Sequence, residues 1–216
     1  MIELLNMDCI DYLRDCEDNA FDLAIVDPPY GIGMSGGKNY ARPSRPNQKG
    51  WVKHEKKQWD LIRPNQLYWD ELFRISKNQI VWGANYFVNF LTPSMGWIYW
   101  GKFEDLSDFS DGELAWTSFD RALRSFKLHP FNGCDGGKSR IHPTQKPVKL
   151  YDWLLSNYAK EGDRILDTHL GSGSSAIAAH YGQFDFVGIE IDEDYFNAAK
   201  ARFEAETAQL DIFSEV

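Results

Sequence analysis

The stretch from Arg164 to Asp192 constrains the fold of this chain more than any other. Ile165-Leu166-Asp167 runs into Thr168-His169-Leu170-Gly171-Ser172-Gly173-Ser174-Ser175-Ala176, and a second apolar run, Phe186 to Ile191, follows. The order is strand, glycine turn, helix, strand, with G-x-G-x-x-A spacing at the turn. Glycine lets the backbone turn sharply and lets a ligand approach closely. Glu190 lies nineteen residues after Gly171, at the end of the next strand. An acid there can hydrogen-bond both hydroxyls of a ribose. On these residues alone two readings stay open: a nucleotide-like cofactor, NAD included, and a tight strand–helix turn with no ligand.

The rest of the chain alternates in the same way. Residues 2–7 read as a short strand, followed by a short helix centred on Ile10 to Arg14. Phe21 to Val26 is apolar and β-branched, as a buried parallel strand is, and stops at Asp27-Pro28-Pro29. Proline cannot continue the ladder, so Asp27 is placed at that strand's carboxyl end. A helix is predicted over 65–76 with Leu67, Leu72 and Ile75 inward, then strands near 79–82 and 96–101 with a short helix between them. Residues 104–141 read as irregular, with one strand from Glu113 to Phe119. After Pro147, Tyr151, Leu154, Leu155 and Tyr158 fall at i, i+3, i+4 and i+7, the mark of a helix that Gly162 can end. Helices over 174–181 and 193–206 complete the pattern. The expectation is an α/β doubly wound, mostly parallel sheet, with residues 1–216 forming a single domain.

Charge separates two segments from that body. The net charge is -9, which argues against a polyanionic partner only if it is spread evenly. Residues 31–57 hold seven Lys/Arg, among them Lys38, Arg42, Arg45, Lys53, Lys56 and Lys57, against Glu55 alone. Residues 121–149 hold seven more, among them Arg124, Lys138 and Arg140, against Asp135 alone. Each window is thus +6 and the remaining chain -21. Nucleic acid would meet two basic segments on an acidic body, whereas two solvated loops are the plainer alternative. Residues 31–58 are also rich in Gly, Pro and Asn and read as a long surface loop, the kind that is usually functional. Tyr40, Trp51 and Trp59 lie among its basic residues, suited either to stacking bases or to pinning the loop. Cys9, Cys16 and Cys134 are scattered and odd in number, which suggests free thiols in a reducing cytoplasm and no metal site. No apolar run approaches membrane-spanning length, and Met1-Ile2-Glu3-Leu4 lacks a basic leader, so neither a span nor a secretory signal is expected.

Asp27-Pro28-Pro29-Tyr30 narrows the reading. Together with His142-Pro143-Thr144-Gln145-Lys146-Pro147, Asp167 to Gly173, and Gly188-Ile189-Glu190-Ile191-Asp192, it resembles the DNA amino-methyltransferases that use S-adenosylmethionine, in the bacterial and phage group whose catalytic motif precedes the cofactor motif. The four motifs stand in the family's order and cover most of the chain. The resemblance implies a Rossmann-like methyltransferase fold and a site-specific DNA methylation, such as restriction–modification systems use, on a base flipped out of the duplex. Asp27, Pro28, Pro29 and Tyr30 would be catalytic. An aspartate at the head of this motif goes mainly with adenine N6, and a serine with cytosine N4, so adenine is expected. An N4-cytosine enzyme of the same fold and a catalytically silent DNA-binding module are the alternatives.

The same resemblance implies a cofactor pocket. Asp167, Gly171 and Gly173 would hold the amino-acid end of the cofactor, Glu190 and neighbouring Ile191 its ribose, and Asp8 and Cys9 its adenine. Thr144 and Lys146 would meet its carboxylate, and His142 reads as structural. The family's usual Asp-Pro-Phe is Asp167-Thr168-His169 here, which leaves His169 where an aromatic commonly lines the pocket. Only 111 residues separate Tyr30 from His142, so target recognition is expected to use the basic loop and residues 104–141, or a homodimer that shares the work. After the last helix, Gln209-Leu210-Asp211-Ile212-Phe213 resembles the short peptide by which bacterial replication proteins dock on the sliding clamp.

Overall fold

Strand β2, Phe21–Val26, shows how the sheet is built. Leu23 and Ile25 point into one apolar core, and Phe21, Ala24 and Val26 into another. A strand buried on both faces requires helices on both sides of its sheet. The computed structural model describes residues 1–33, 60–102, 110–128 and 141–208 and supplies that cover. Its remaining strands are β1 (Ile2–Asn6), β3 (Ser76–Trp82), β4 (Trp97–Gly101), β5 (Gly112–Thr117), β6 (Arg124–Lys127), β7 (Arg164–Asp167) and β8 (Asp185–Glu190). The helices are α1 (Cys9–Asp15), α2 (Gln66–Ile75), α3 (Val148–Tyr158), α4 (Ser174–Tyr181) and α5 (Glu193–Thr207), with one 3₁₀ turn at Ala84–Tyr86.

The strands form one sheet in the order β1-β8-β7-β2-β3-β5-β4-β6. The first five are mutually parallel. β5 runs antiparallel to β3 and β4, and β6 is parallel to β4. The expected doubly wound, mostly parallel sheet is therefore present. Helices α3 and α4 cover one face through Leu150, Tyr151, Leu154, Leu155, Ala176 and Ala179. Helices α1 and α2 cover the other through Leu13, Tyr68, Trp69, Leu72 and Ile75. The largest fully buried side chains are Trp69, Trp82 and Trp100. Each such burial stabilises the fold by up to about 3 kcal/mol.

Two expectations need correction. The buried stripe of α2 is carried by Tyr68 and Trp69 together with Leu72 and Ile75, while Leu67 is only half-buried. Within 104–141 the structure sets the expected strand at Gly112–Thr117 as β5 and adds a second, β6, that was not expected. Strand β6, Arg-Ser-Phe-Lys, is mostly exposed. An edge strand needs no apolar alternation to be held by its neighbour.

The topology fixes where a ligand binds. Strands β7 and β2 are adjacent, but α4 follows β7 onto one face while the chain after β2 leads to α2 on the other. Such a switch point opens a crevice outside the carboxyl ends of the strands. Asp167 ends β7, Asp27 follows β2 and Glu190 ends β8, so all three acids lie on that edge.

Candidate active site at the carboxyl edge of the sheet

The segment after β2 is held from several sides. Tyr30 donates its hydroxyl to Asp27 Oδ1 at 2.5 Å. Its ring stacks on Tyr86 with centroids 4.9 Å apart and meets the edge of Phe87. Arg63 Nε donates to the Tyr30 carbonyl at 2.8 Å, and Asp60 Oδ1 accepts from the Gly31 amide at 2.9 Å. Burial, and then the Asp27 charge, push the Tyr30 phenol well above its ordinary value, so it stays a donor. Tyr30 packs over Gly83, whose φ is +63°, and a Cβ there would sit 2.1 Å from the Tyr30 ring. Only glycine leaves room for both the backbone and the ring.

Asp27 has a second partner. Lys146 Nζ bonds its Oδ2 and lies 3.2 Å from Glu113 Oε2. Glu113 Oε1 in turn bonds Lys102 Nζ. Lys146 is buried over the Trp82 ring, and Lys102 lies over the Trp100 ring. The antiparallel course of β5 brings this chain together: Glu113 faces Trp100 of β4 in register, at the edge where β3 ends. Burial alone would raise the Glu113 carboxyl and lower the Lys146 amine, but the opposite charges reverse both shifts. The ammonium of Lys146, a residue expected near the cofactor's carboxylate, is engaged here with Asp27 and Glu113.

The glycine loop orders itself around two acids. Gly171 and Gly173 have φ of +53° and +73°, and a Cβ on Gly173 would press on Ala199 of α5 at 3.3 Å. Glu190 accepts from the Gly171 amide at 2.8 Å and from the Asp192 amide at 3.0 Å. Burial raises its carboxyl, with those amides opposing. Asp167 accepts from Ser175 Oγ at 2.6 Å and from the His169 amide at 3.0 Å. Burial nonetheless pushes the Asp167 carboxyl up to about 7. His169 packs edge-on against Tyr68 at 5.5 Å. Its Nδ1 lies 2.8 Å from Thr168 Oγ1, which lies 2.8 Å from the Tyr68 hydroxyl. Burial pulls His169 down to about 4, so the ring is neutral near pH 7.

Cys9, Ile10, Pro29, Tyr68 and His169 line an open cleft together with residues 62–65. Burial raises the Cys9 thiol to about 12, so it is an uncharged wall of that cleft. Asp8 caps α1 by accepting from the Ile10 amide at 2.8 Å. Pro28 is buried, and Ile191 is exposed just past Glu190. Thr144 and His142 bond each other, with Thr144 Oγ1 3.1 Å from His142 Nδ1, and His142 packs on Tyr195. Arg124 is exposed at the start of β6, beside Ile98 and away from the carboxyl edge. Lys38, Arg42, Arg45, Lys53, Lys56, Lys57, Lys138, Arg140 and the tail from Gln209 to Phe213 lie outside the described residues. Among the described residues no group of His, Cys, Asp and Glu is placed to hold a metal ion, and no helix is long and apolar enough to cross a membrane.

Sequence reasoning missed Glu113, Lys102, Gly83 and Tyr86. A carboxylate opening an otherwise apolar strand, Gly-Glu-Leu-Ala-Trp-Thr, was the one available signal.

The chain is similar to known DNA methyltransferases. Type II methyltransferase M2.DpnII of Streptococcus pneumoniae is 26% identical over 253 residues, spanning 94% of this chain and 90% of its own. Type II methyltransferase M2.MboI of Moraxella bovis is 25% identical over 239 residues, spanning 94% and 87%. The fold is shared with the M1.HpyAVI–SAM complex, at TM-score 0.62 and 18% identity over 94% of this chain and 98% of that one. It is shared too with the cytosine-N4-specific PvuII DNA methyltransferase, at TM-score 0.63 and 13% identity over 96% and 90%. A family model for DNA methylases of the N6/N4 type matches residues 51–201, and the chain belongs to that family: it is a DNA methyltransferase.

Proposed function

We propose that this methyltransferase moves a methyl group from S-adenosylmethionine to the exocyclic N6 of an adenine flipped out of DNA. The observation that carries the reading is Asp27 at the switch point, beside the strand that ends on Asp167, with its carboxylate oriented by Tyr30 and Lys146. The aspartate at the head of the motif favours adenine over cytosine.

The residues present fit the cofactor. The cleft wall of Cys9, Ile10 and Pro29 suits a flat purine, and Asp8 caps the helix beside it. Glu190 stands at the end of β8, where ribose hydroxyls can donate to it. Asp167 and the left-handed turn at Gly171 and Gly173 stand at the carboxyl end of β7, where the amino-acid end would lie. Bound S-adenosylmethionine supplies an electrophilic methyl on a sulfonium.

The chain's own residues act on the acceptor. An exocyclic amine is a poor nucleophile because its lone pair is delocalised into the ring. Asp27 and the Pro28 carbonyl accept the two amine protons and favour a pyramidal nitrogen. Proline suits the second role because it offers a carbonyl with no competing N–H. Preorganised acceptors help most as positive charge develops on that nitrogen. The new N–C bond forms as the methyl's bond to sulfur breaks, that electron pair staying on the departing neutral thioether, and one proton of the methylated amine is then lost to water. Stacking on an aromatic ring contributes about 1–3 kcal/mol per base, and Tyr30, bonded to Asp27, is the ring proposed for that role. A base inside a duplex is out of reach, so it must be extruded.

On this reading residues 1–216 act as one methyltransferase domain, with the basic loop at 31–58 and the small recognition segment at 104–141 engaging the DNA. The tail Gln209–Phe213 docks on the sliding clamp, which binding of purified clamp to the full chain and to one ending at Ala208 tests. The main test is digestion of DNA to nucleosides after incubation with methyl-labelled cofactor. Label in N6-methyldeoxyadenosine is expected. Label in N4-methyldeoxycytidine, or none, rejects the reading.

A further inference from the structure

We infer that Glu113 and Lys146 form a positioning pair that sets the geometry and charge of Asp27 for methyl transfer. The inference rests on the reading of Asp27 as the residue that accepts the target amine. Its grounds are geometric. Asp27 Oδ2 is bonded by Lys146 Nζ, and the same ammonium lies 3.2 Å from Glu113 Oε2. Lys146 is only 4% exposed, so its charge is compensated by these two carboxylates and not by water. Glu113 is anchored at its other oxygen by Lys102. With Tyr30 on Oδ1, the carboxylate of Asp27 is fixed in plane and direction.

Charge explains why both members are needed. A lone ammonium against Asp27 would leave a neutral pair at the point where the attacking nitrogen becomes positive. That would oppose the transition state. Glu113 draws part of the Lys146 ammonium's field away from Asp27, and the Lys102 ammonium that balances Glu113 lies on its far oxygen, so the carboxylate that faces the substrate keeps more of its own charge. Both partners are held ionised in this setting: the two ammonium groups bring Glu113 below its ordinary value against burial, and the two carboxylates bring Lys146 above its own. Glu113 does not touch the substrate on this account. It acts through Lys146, so the effects of removing Glu113 and of removing Lys146 are not independent.

The test is a double-mutant cycle in the full chain with Glu113→Gln and Lys146→Met. Single-turnover rate, DNA KM, cofactor Kd and melting temperature are read for each. Each single variant is expected to lose on the order of 10- to 100-fold in kcat, with KM and Kd changed by about twofold at most. The double variant is expected to lose no more than Lys146→Met alone. Normal kcat in a folded Glu113→Gln, or losses that multiply in the double variant, overturns the inference. Should Glu113→Gln fail to fold, Lys146→Met leaves Glu113 its Lys102 partner, and normal kcat in that variant overturns it equally. A large rise in cofactor Kd on Lys146→Met would return that residue to the cofactor's carboxylate and also overturn it. Asp27→Ala separates the two levels. An active Asp27→Ala defeats the reading of Asp27 itself, while an inactive one beside a normal Glu113→Gln defeats the positioning pair alone.

Discussion

Gly83→Ala is expected to disable the site from a position that touches no substrate. The added Cβ would stand 2.1 Å from Tyr30 Cε1, 2.3 Å from Cζ and 2.7 Å from the hydroxyl. Ordinary contact begins near 3.4 Å, so the ring must retreat by about 1.3 Å. Tyr30 cannot retreat freely, because Tyr86 stacks on it at 4.9 Å. The hydroxyl leaves Asp27 Oδ1, and a hydrogen bond to a charged group contributes about 1.5–3 kcal/mol. Holding alanine in the left-handed region at φ +63° costs about 1–2 kcal/mol more. A misplacement near 1 Å can lower turnover on the order of 100-fold. Gly83 does not line the cleft, so cofactor Kd should move by about threefold at most. Single-turnover methylation, calorimetry with cofactor and thermal melting read the three quantities. Wild-type turnover together with an unchanged melting temperature would refute the packing argument.

Three further outcomes follow from the same geometry. Asp167 is raised from 3.8 to about 7 by burial, so its contribution to stability is full below 3.8 and is lost as pH rises through about 7; the free protein should melt lower at pH 8 than at pH 5, and Asp167→Asn should flatten that difference, which a melting series in both proteins checks. Glu190→Ala removes the acceptor of the Gly171 and Asp192 amides as well as the expected ribose ligand; cofactor affinity should fall by a few kcal/mol at most, and an unchanged Kd in equilibrium dialysis would take Glu190 off the ribose. Neutralising Lys53, Lys56 and Lys57 should weaken DNA binding and flatten its log–log salt dependence by about one unit for each phosphate no longer neutralised; equal slopes for wild type and triple variant would make that segment a bystander.

The parts of this protein that could be read ahead of its structure are those whose signal is local. Phe21–Val26 is apolar apart from Asp22 and is followed by Asp27-Pro28-Pro29, so its burial and its end follow from neighbouring residues. The helix after Pro147 shows its buried face in its spacing, and Tyr151, Leu154, Leu155 and Tyr158 are all buried. What escaped is set by pairing between distant segments. Glu113 meets Lys146 only because β5 runs antiparallel beside β3, and a single sequence carries no mark of strand order. The motif around Lys146 gives its neighbours in the chain but not the carboxylate 119 residues away. Gly83 shows the same limit: its φ could be guessed from a turn, but the Tyr30 ring lying against it is a tertiary contact. His169 is the place where the motif departs, and the structure keeps it as a neutral ring against Tyr68.

The central claim is that Asp27 accepts the amine of a DNA adenine while the cofactor is held by other residues. Methyl transfer to DNA by wild type and Asp27→Ala, measured beside cofactor affinity for both, tests it most directly. The account predicts N6-methyldeoxyadenosine from wild type, none above background from Asp27→Ala, and cofactor Kd values within several-fold of one another. Near-normal transfer by Asp27→Ala, or loss of transfer that is matched by loss of cofactor binding, would contradict it.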